Sequence, residues 1–244
     1  MMRVLPDVVA SYFVLGAAGI GLYGQRLQRI EQHELWMKYL VYLFLVGAAI
    51  VLAHFSLFLA FAYVVAAGGF IETVEAGILH HARSGSLFAI ASIVVYSLLC
   101  AGFLTFARMR SATILYVFTI VCVSDGLSQL CGQLFGRTFC FGALSPRKTL
   151  EGVAGGLIFA IVTGCVLCGV VSVSPWYGGI AGLHVFTLAF CGDLLGSACK
   201  RRYGLKDFSR ILPWHGSLPD RYNSVIVGGG VIGLGAMLQG SLST

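Results

Sequence analysis

Charge is what this sequence has least of. Only 11% of its 244 residues are Asp, Glu, Lys or Arg, against about 25% in an average soluble domain. Mean hydropathy is +0.89. Such a chain reads as an integral membrane protein, with one membrane domain as the simplest count. Other absences narrow the reading further. There is no small-residue cleavage site ahead of a soluble domain, so the apolar run from Val8 to Tyr23 reads as a first span rather than a signal peptide. No internal repeat and no low-complexity linker divides the chain. No disulfide framework is visible either. The eight cysteines (Cys100, Cys122, Cys131, Cys140, Cys165, Cys168, Cys191 and Cys199) lie mostly in apolar stretches. Cys165 and Cys168 have CxxC spacing but no His partner, and read as small packing residues.

What remains is long, Gly-rich and apolar. The 32 glycines suit close-packed transmembrane helices rather than barrel strands. A span needs about 20 apolar residues. The pattern predicts an all-α, polytopic transmembrane helix bundle of about eight spans, near 8–24, 37–53, 55–71, 87–107, 111–131, 152–173, 177–197 and 224–241. The run 37–71 is too long for one crossing, and His54 is expected at its turn. With the N-terminus outside, loops 25–36, 72–86, 132–151 and 198–223 fall inside, where Lys and Arg concentrate. Arg108 and Arg110 break that rule. The division expected is an N-terminal set of helices, 1–110, and a catalytic transmembrane domain, 111–244.

Candidate chemistry clusters in the two longest inner loops. Asp193 ends an otherwise uncharged run, and an unpaired acid at mid-bilayer costs about 2.5–3.5 kcal/mol on insertion scales. The alternative is an interfacial Asp paired with Lys200 or Arg201. Asp220-Arg221 follows a loop broken by Gly204, Pro213, Gly216 and Pro219, which can bring Asp220 back beside Asp193. Two such carboxylates together with substrate phosphates form a usual Mg²⁺ environment, and the cations between them suit phosphates. Asp125, with Gly126, Ser128, Gln129 and Gly132, reads as a cavity-lining face or as interhelical hydrogen bonding. In Ser145-Pro146-Arg147-Lys148-Thr149-Leu150-Glu151-Gly152, Ser145 or Thr149 is placed to cap a helix, and the helix start beside Arg147 and Lys148 reads as an anion site or an ordinary capped flank. Glu72, Glu75, His80 and His81 read as a solvated helix end.

Together these segments resemble the phosphatidate cytidylyltransferase (CDP-diacylglycerol synthase) family. The family's C-terminal signature, S-x-x-K-R-x-x-x-x-K-D, then P-G-H-G-G, then D-R-x-D, is met by Ser197, Lys200, Arg201, Lys206, Asp207, Pro213, His215, Gly216, Asp220 and Arg221. Its second segment, an Asp-led helix followed by G-x-x-F/I-G and then S-P-x-K-T-x-E-G-x-x-G-G, is met by Asp125, Gly132, Gly136, Ser145, Pro146, Lys148, Thr149, Glu151, Gly152, Gly155 and Gly156. The resemblance covers about 120–244.

The resemblance implies that CTP and phosphatidic acid give CDP-diacylglycerol and pyrophosphate. It implies Asp193 and Asp220 as metal ligands, for Mg²⁺ or another divalent cation, and Asp193, Asp220, Lys200 and Arg221 as the catalytic set. Ser145, Lys148, Thr149, Ser197, Arg201, Lys206, Asp207, His215, Asp125 and Asn223 are the substrate-binding candidates. Three motifs depart from the pattern: Asn223 replaces the last Asp of D-R-x-D, Trp214 and Ser217 replace glycines of P-G-H-G-G, and Gly196 replaces Glu in G-D-L-x-E-S. These keep open another lipid phosphate as acceptor, a CTP-dependent lipid kinase, or a non-catalytic lipid- or nucleotide-binding membrane protein. The expected partners are CTP and phosphatidic acid, with no nucleic acid and with homodimerisation compatible. The short chain without a transit-peptide pattern points to a bacterial inner membrane, active site toward the cytoplasm.

Overall fold

A computed structural model describes residues 4–25, 29–142, 144–146, 148–205 and 218–240. Among the described residues the chain is helical throughout: α1 (Val4–Gly24), α2 (Arg29–His54), α3 (Phe58–Leu79), the single turn α4 (His81–Ser84), α5 (Ser86–Phe106), α6 (Ser111–Phe135), α7 (Leu150–Val166), a 3₁₀ turn at Cys168–Val171, α8 (Pro175–Tyr203) and α9 (Leu218–Leu238). The only extended pairing among them is one antiparallel bridge between Phe139 and Thr149. Among the described residues six helices are long and apolar enough to cross a membrane: α1, α2, α3, α5, α6 and α8. The apolar parts of α7 and α9, Leu150–Val166 and Tyr222–Leu238, are shorter. Leu87, Ile90, Val14 and Phe44 are exposed on the outside, as side chains that meet lipid rather than water should be.

The break expected at His54 is present, and its backbone explains it. α2 ends in a Schellman closure. The Leu57 N–H donates to Leu52 O at 2.7 Å and the Ser56 N–H to Ala53 O at 3.3 Å, with Ser56 in the left-handed region at φ 58°. The same closure ends the turn after α7, with Val173 N–H on Cys168 O, Ser172 N–H on Gly169 O and Ser172 at φ 58°. α7 itself stops at Val166, short of the expected 173, where Leu167 at φ −89° and ψ 2° leads into the 3₁₀ turn.

The expected loop 198–223 is helical at both of its ends. α8 continues to Tyr203 rather than ending near 197, because Lys200, Arg201 and Arg202 occupy its last turn, where cations complement the helix dipole. Asp193 consequently lies well inside α8. α9 begins at Leu218 rather than near 224. Pro219 and Asp220 fall in its first turn, where a fixed φ and a negative charge both favour a helix start.

The chain divides into two compact units. One comprises Met1–Val51 and Leu115–Thr187, the other Leu52–Ile114 and Leu188–Thr244. In the first, α6, α7 and α8 approach through small residues. A Cβ on Gly156 would stand 2.8 Å from the Ser128 Cβ, and the Tyr116 hydroxyl lies 3.2 and 3.1 Å from the carbonyl oxygens of Gly164 and Gly178. In the second, α5 and α9 touch backbone to backbone at Gly102, Gly230 and Gly233; a Cβ on Gly230 would stand 2.7 Å from the Leu99 carbonyl oxygen. Small residues suit this contact, because lipid supplies no hydrophobic drive between helices and close packing must hold them. Phe58, Phe103 and Phe106 are fully buried beside it.

Candidate functional site

The Ser145–Gly152 segment is built around the start of α7. Thr149 is the N-cap: it is extended, 4% exposed, and its Oγ1 accepts from the Gly152 N–H at 3.2 Å. Capping falls to Thr149, and Ser145 lies upstream, its carbonyl accepting from the Lys148 N–H at 3.1 Å. Glycines surround the cap because nothing larger fits. A Cβ on Gly132 would stand 3.1 Å from Thr149 Oγ1, one on Gly136 2.8 Å from it, and one on Gly152 2.7 Å from the Ser128 carbonyl oxygen. Gly132, Gly136 and Gly152 of the motif are thus packing requirements of the Thr149 cap.

Glu151 closes the arrangement from the other side. Its carboxylate accepts from the Arg137 N–H at 3.1 Å, the Thr138 N–H at 3.2 Å and the Thr138 hydroxyl at 2.9 Å. The Leu150 N–H returns a bond to Thr138 O at 2.9 Å. Hydrogen bonds from its own backbone N–H and from Arg137 and Thr138 hold its carboxyl down at about 2. The Leu150, Gly152 and Val153 amides in the first turn of α7 are already bonded within the chain, to Thr138 O, Thr149 Oγ1 and Thr149 O. The sequence marked Glu151 as part of the motif but did not reveal this clamp; an acid in the first turn just after a Thr cap was the available signal. On α6, Asp125 and Gln129 are exposed while Ser128 packs on α7.

The second group lies on α8 and α9. Asp193, Ser197 and Lys200 are spaced i, i+4, i+7, which places them on one face of α8, and all three are half-buried. Arg201 is exposed, its guanidinium 3.4 Å from Leu205 O. α8 ends at Gly204, whose φ of +77° favours glycine. The Arg83 guanidinium fills the space a side chain there would need. Tyr203, fully buried, hydrogen-bonds Ser92. Asn223 is 9% exposed and lies against Gly192 and Gly196. Asp220 and Arg221 sit in the first turn of α9 by backbone, and their side chains lie outside the described residues, as do Lys206, Asp207, Pro213, Trp214, His215, Gly216 and Ser217.

Among the described residues, no group of three or more His, Cys, Asp or Glu is placed to hold a metal. Mg²⁺ does not need one, since one or two carboxylates plus substrate phosphates suffice. Asp193, half-buried on α8, is a carboxylate of the type such a site would use. Glu72 departs from expectation: it is 6% exposed rather than solvated, whereas Glu75 is exposed.

Comparison with known proteins bears on both groups at once. Over 128 residues, half of this chain and 49% of the relative, the sequence is 35% identical to the phosphatidate cytidylyltransferase of Staphylococcus haemolyticus. The Staphylococcus epidermidis protein of the same description is 34% identical over 128 residues, again 50% of this chain and 49% of the relative. That of Staphylococcus saprophyticus is 35% identical over 113 residues, 46% of this chain and 44% of the relative. The chain thus spans about half the length of the curated relatives it matches. The match to a family model is longer. It runs over residues 9–235 and takes in the N-terminal helices that carry no recognisable motif. With both motif segments inside that span, this integral membrane chain belongs to the cytidylyltransferase family.

Proposed function

We propose that the protein transfers the cytidylyl group of CTP to phosphatidic acid, giving CDP-diacylglycerol and pyrophosphate. The observation that carries this is the α8 face of Asp193, Ser197 and Lys200 within a chain that matches the family from 9 to 235. A carboxylate, a hydroxyl and an ammonium in file suit a metal-bound, multiply charged phosphate chain. A lipid phosphate oxygen attacks the α-phosphorus of CTP. The new P–O bond forms as the α–β phosphoanhydride breaks, and pyrophosphate leaves with the electron pair. The nucleophile is already an anion, so no strong general base is needed, and positioning with charge neutralisation supplies the catalysis.

Asp193 and Asp220 are assigned to a divalent metal, Mg²⁺ by donor type, which when bound neutralises charge on the phosphates. Lys200, Arg201, Lys206 and Arg221 are assigned to triphosphate or lipid phosphate, with Ser197, Asp207, His215 and Asn223 beside them. Ser145 and Lys148 are assigned to phosphate, Asp125 to the polar lining, and Thr149 to holding the segment in place. The larger frame is a bundle in which α7 and α9 also cross, making eight spans. The basic ends face the cytoplasm of a bacterial inner membrane, and residues 111–244 carry the catalytic part behind an N-terminal set, 1–110.

The uncharged Gly196 and Asn223 favour one competing reading, a different lipid phosphate as acceptor or phosphoryl rather than cytidylyl transfer. Paired assays with CTP labelled at the α- or the γ-phosphate, over a panel of lipid phosphates and diacylglycerol, decide. Cytidylyl transfer places α-label in the lipid and γ-label in pyrophosphate, with phosphatidic acid the best acceptor. Gamma-label in the lipid identifies a kinase, and α-label on another lipid phosphate alone replaces the acceptor.

A further inference from the structure

Gly196 and Asn223 are both positions at which an acid of the motif pattern is replaced by an uncharged residue, and in the structure they meet. The Asn223 carboxamide occupies the space above Gly196. A Cβ at 196 would collide with Asn223 Nδ2 and stand 3.1 Å from its Cγ. One turn earlier, a Cβ on Gly192 would stand 3.2 Å from the Asn223 carbonyl oxygen and 2.6 Å from the Val227 Cβ. Asn223 therefore seats in a notch of α8 bounded by Gly192 and Gly196, with Asp193 between them in sequence. The neighbouring Tyr222 ring packs edge-on against Phe61 at 5.2 Å, tying the same turn of α9 to α3. A Glu at 196 has no room while Asn223 is seated. An Asp at 223 would place a carboxylate in a position only 9% exposed, where a charge needs compensation. The two replacements are physically linked: loss of bulk at 196 opens the notch, and loss of charge at 223 lets it be filled.

We propose that Gly196 and Asn223 act as a matched, uncharged pair. Together they set how the first turn of α9, which carries Asp220 and Arg221, docks beside Asp193, with Asn223 as a positioning residue. The catalytic part of this proposal rests on the reaction proposed above. The test uses the intact purified protein with Gly196→Ala, Asn223→Ala and the double variant. It reads the melting temperature without substrate, the kcat and KM for CTP, and the Mg²⁺ concentration giving half-maximal turnover. Gly196→Ala should melt below the parent and lose about tenfold or more in kcat, since small misplacements near reacting groups are costly. Adding Asn223→Ala should recover part of the lost melting temperature, because the obstructed group is gone. That non-additivity is the signature of contact. Asn223→Ala alone should shift the Mg²⁺ requirement by about threefold or more. Additive effects on melting, or a Gly196→Ala variant indistinguishable from the parent, would overturn the pairing. An unchanged Mg²⁺ requirement in every variant would overturn the positioning role. If the parent makes no CDP-lipid, the proposed reaction falls, whereas the coupling in melting temperature still stands or fails by itself.

Discussion

Replacing Thr149 with Val tests whether the motif threonine acts as a helix cap. The change keeps the shape and the methyl packing but removes the acceptor for the Gly152 N–H, now bonded at 3.2 Å. Gly152 is buried against Ser128 and Gly132, so its donor is left poorly satisfied. Loss of a cap costs about 0.5–2 kcal/mol, and an orphaned buried donor about 1–3 kcal/mol. These describe one event and are not summed, which leaves about 1–2 kcal/mol. For a chain of this size each kcal/mol corresponds to about 2–4 °C, so the Val variant should melt about 2–8 °C lower. Thr149→Ser keeps the acceptor and loses one methyl, worth about 0.8 kcal/mol if fully buried, and should melt closer to the parent. Melting followed by intrinsic fluorescence in detergent, beside turnover measured well below the transition, gives both readouts. A Val variant that melts with the parent yet loses turnover would refute the capping argument and give the hydroxyl a direct role on substrate.

Glu151 predicts a pH signature. Its carboxyl is lowered in the fold from 4.5 to about 2, so its contribution is present above about pH 4.5 and is lost as pH falls toward 2. The melting difference between the parent and Glu151→Gln should shrink over that window, and a constant difference would count against the clamp. Gly230→Ala should destabilise by about 1–3 kcal/mol through overpacking, because its Cβ would press on Leu99 O at 2.7 Å; an unchanged melting temperature would mean that α5 and α9 are not in backbone contact. Ser172→Gly should raise the melting temperature slightly, by relieving about 1 kcal/mol of left-handed strain at φ 58°; a decrease would show that the Ser side chain is needed there.

The helices were legible where composition alone decides. Long uncharged runs placed α1, α5 and α6 within a few residues, and the over-long 37–71 run demanded the break found after His54. Their ends were not legible, because ends depend on backbone closures and caps. Ser172 in the left-handed region stops the turn after α7 early, and basic residues carry α8 on to Tyr203. The Pro219-Asp220 pair read as loop from its breakers but opens α9, since proline suits a first turn as well as a loop. In the candidate site, the motif located residues without their duties. Thr149 was one of two cap candidates and contact geometry selects it over Ser145, whereas the clamp made by Glu151 had no counterpart in the motif. Glu72 looked solvated because Glu75 and two histidines follow it, yet its face of α3 is the buried one. The Gly196–Asn223 contact joins positions on two helices, and no spacing rule within one segment reveals it.

The most direct measurement of the central claim is transfer of α-labelled CTP to phosphatidic acid by the detergent-purified protein, with and without Mg²⁺, with Asp193→Asn alongside. The account predicts labelled CDP-diacylglycerol that requires the metal and falls by about 10²-fold or more in the variant, the scale of removing a charge-stabilising group from a transition state. Equal product from the parent and Asp193→Asn, or none from a folded parent that binds CTP, would contradict it.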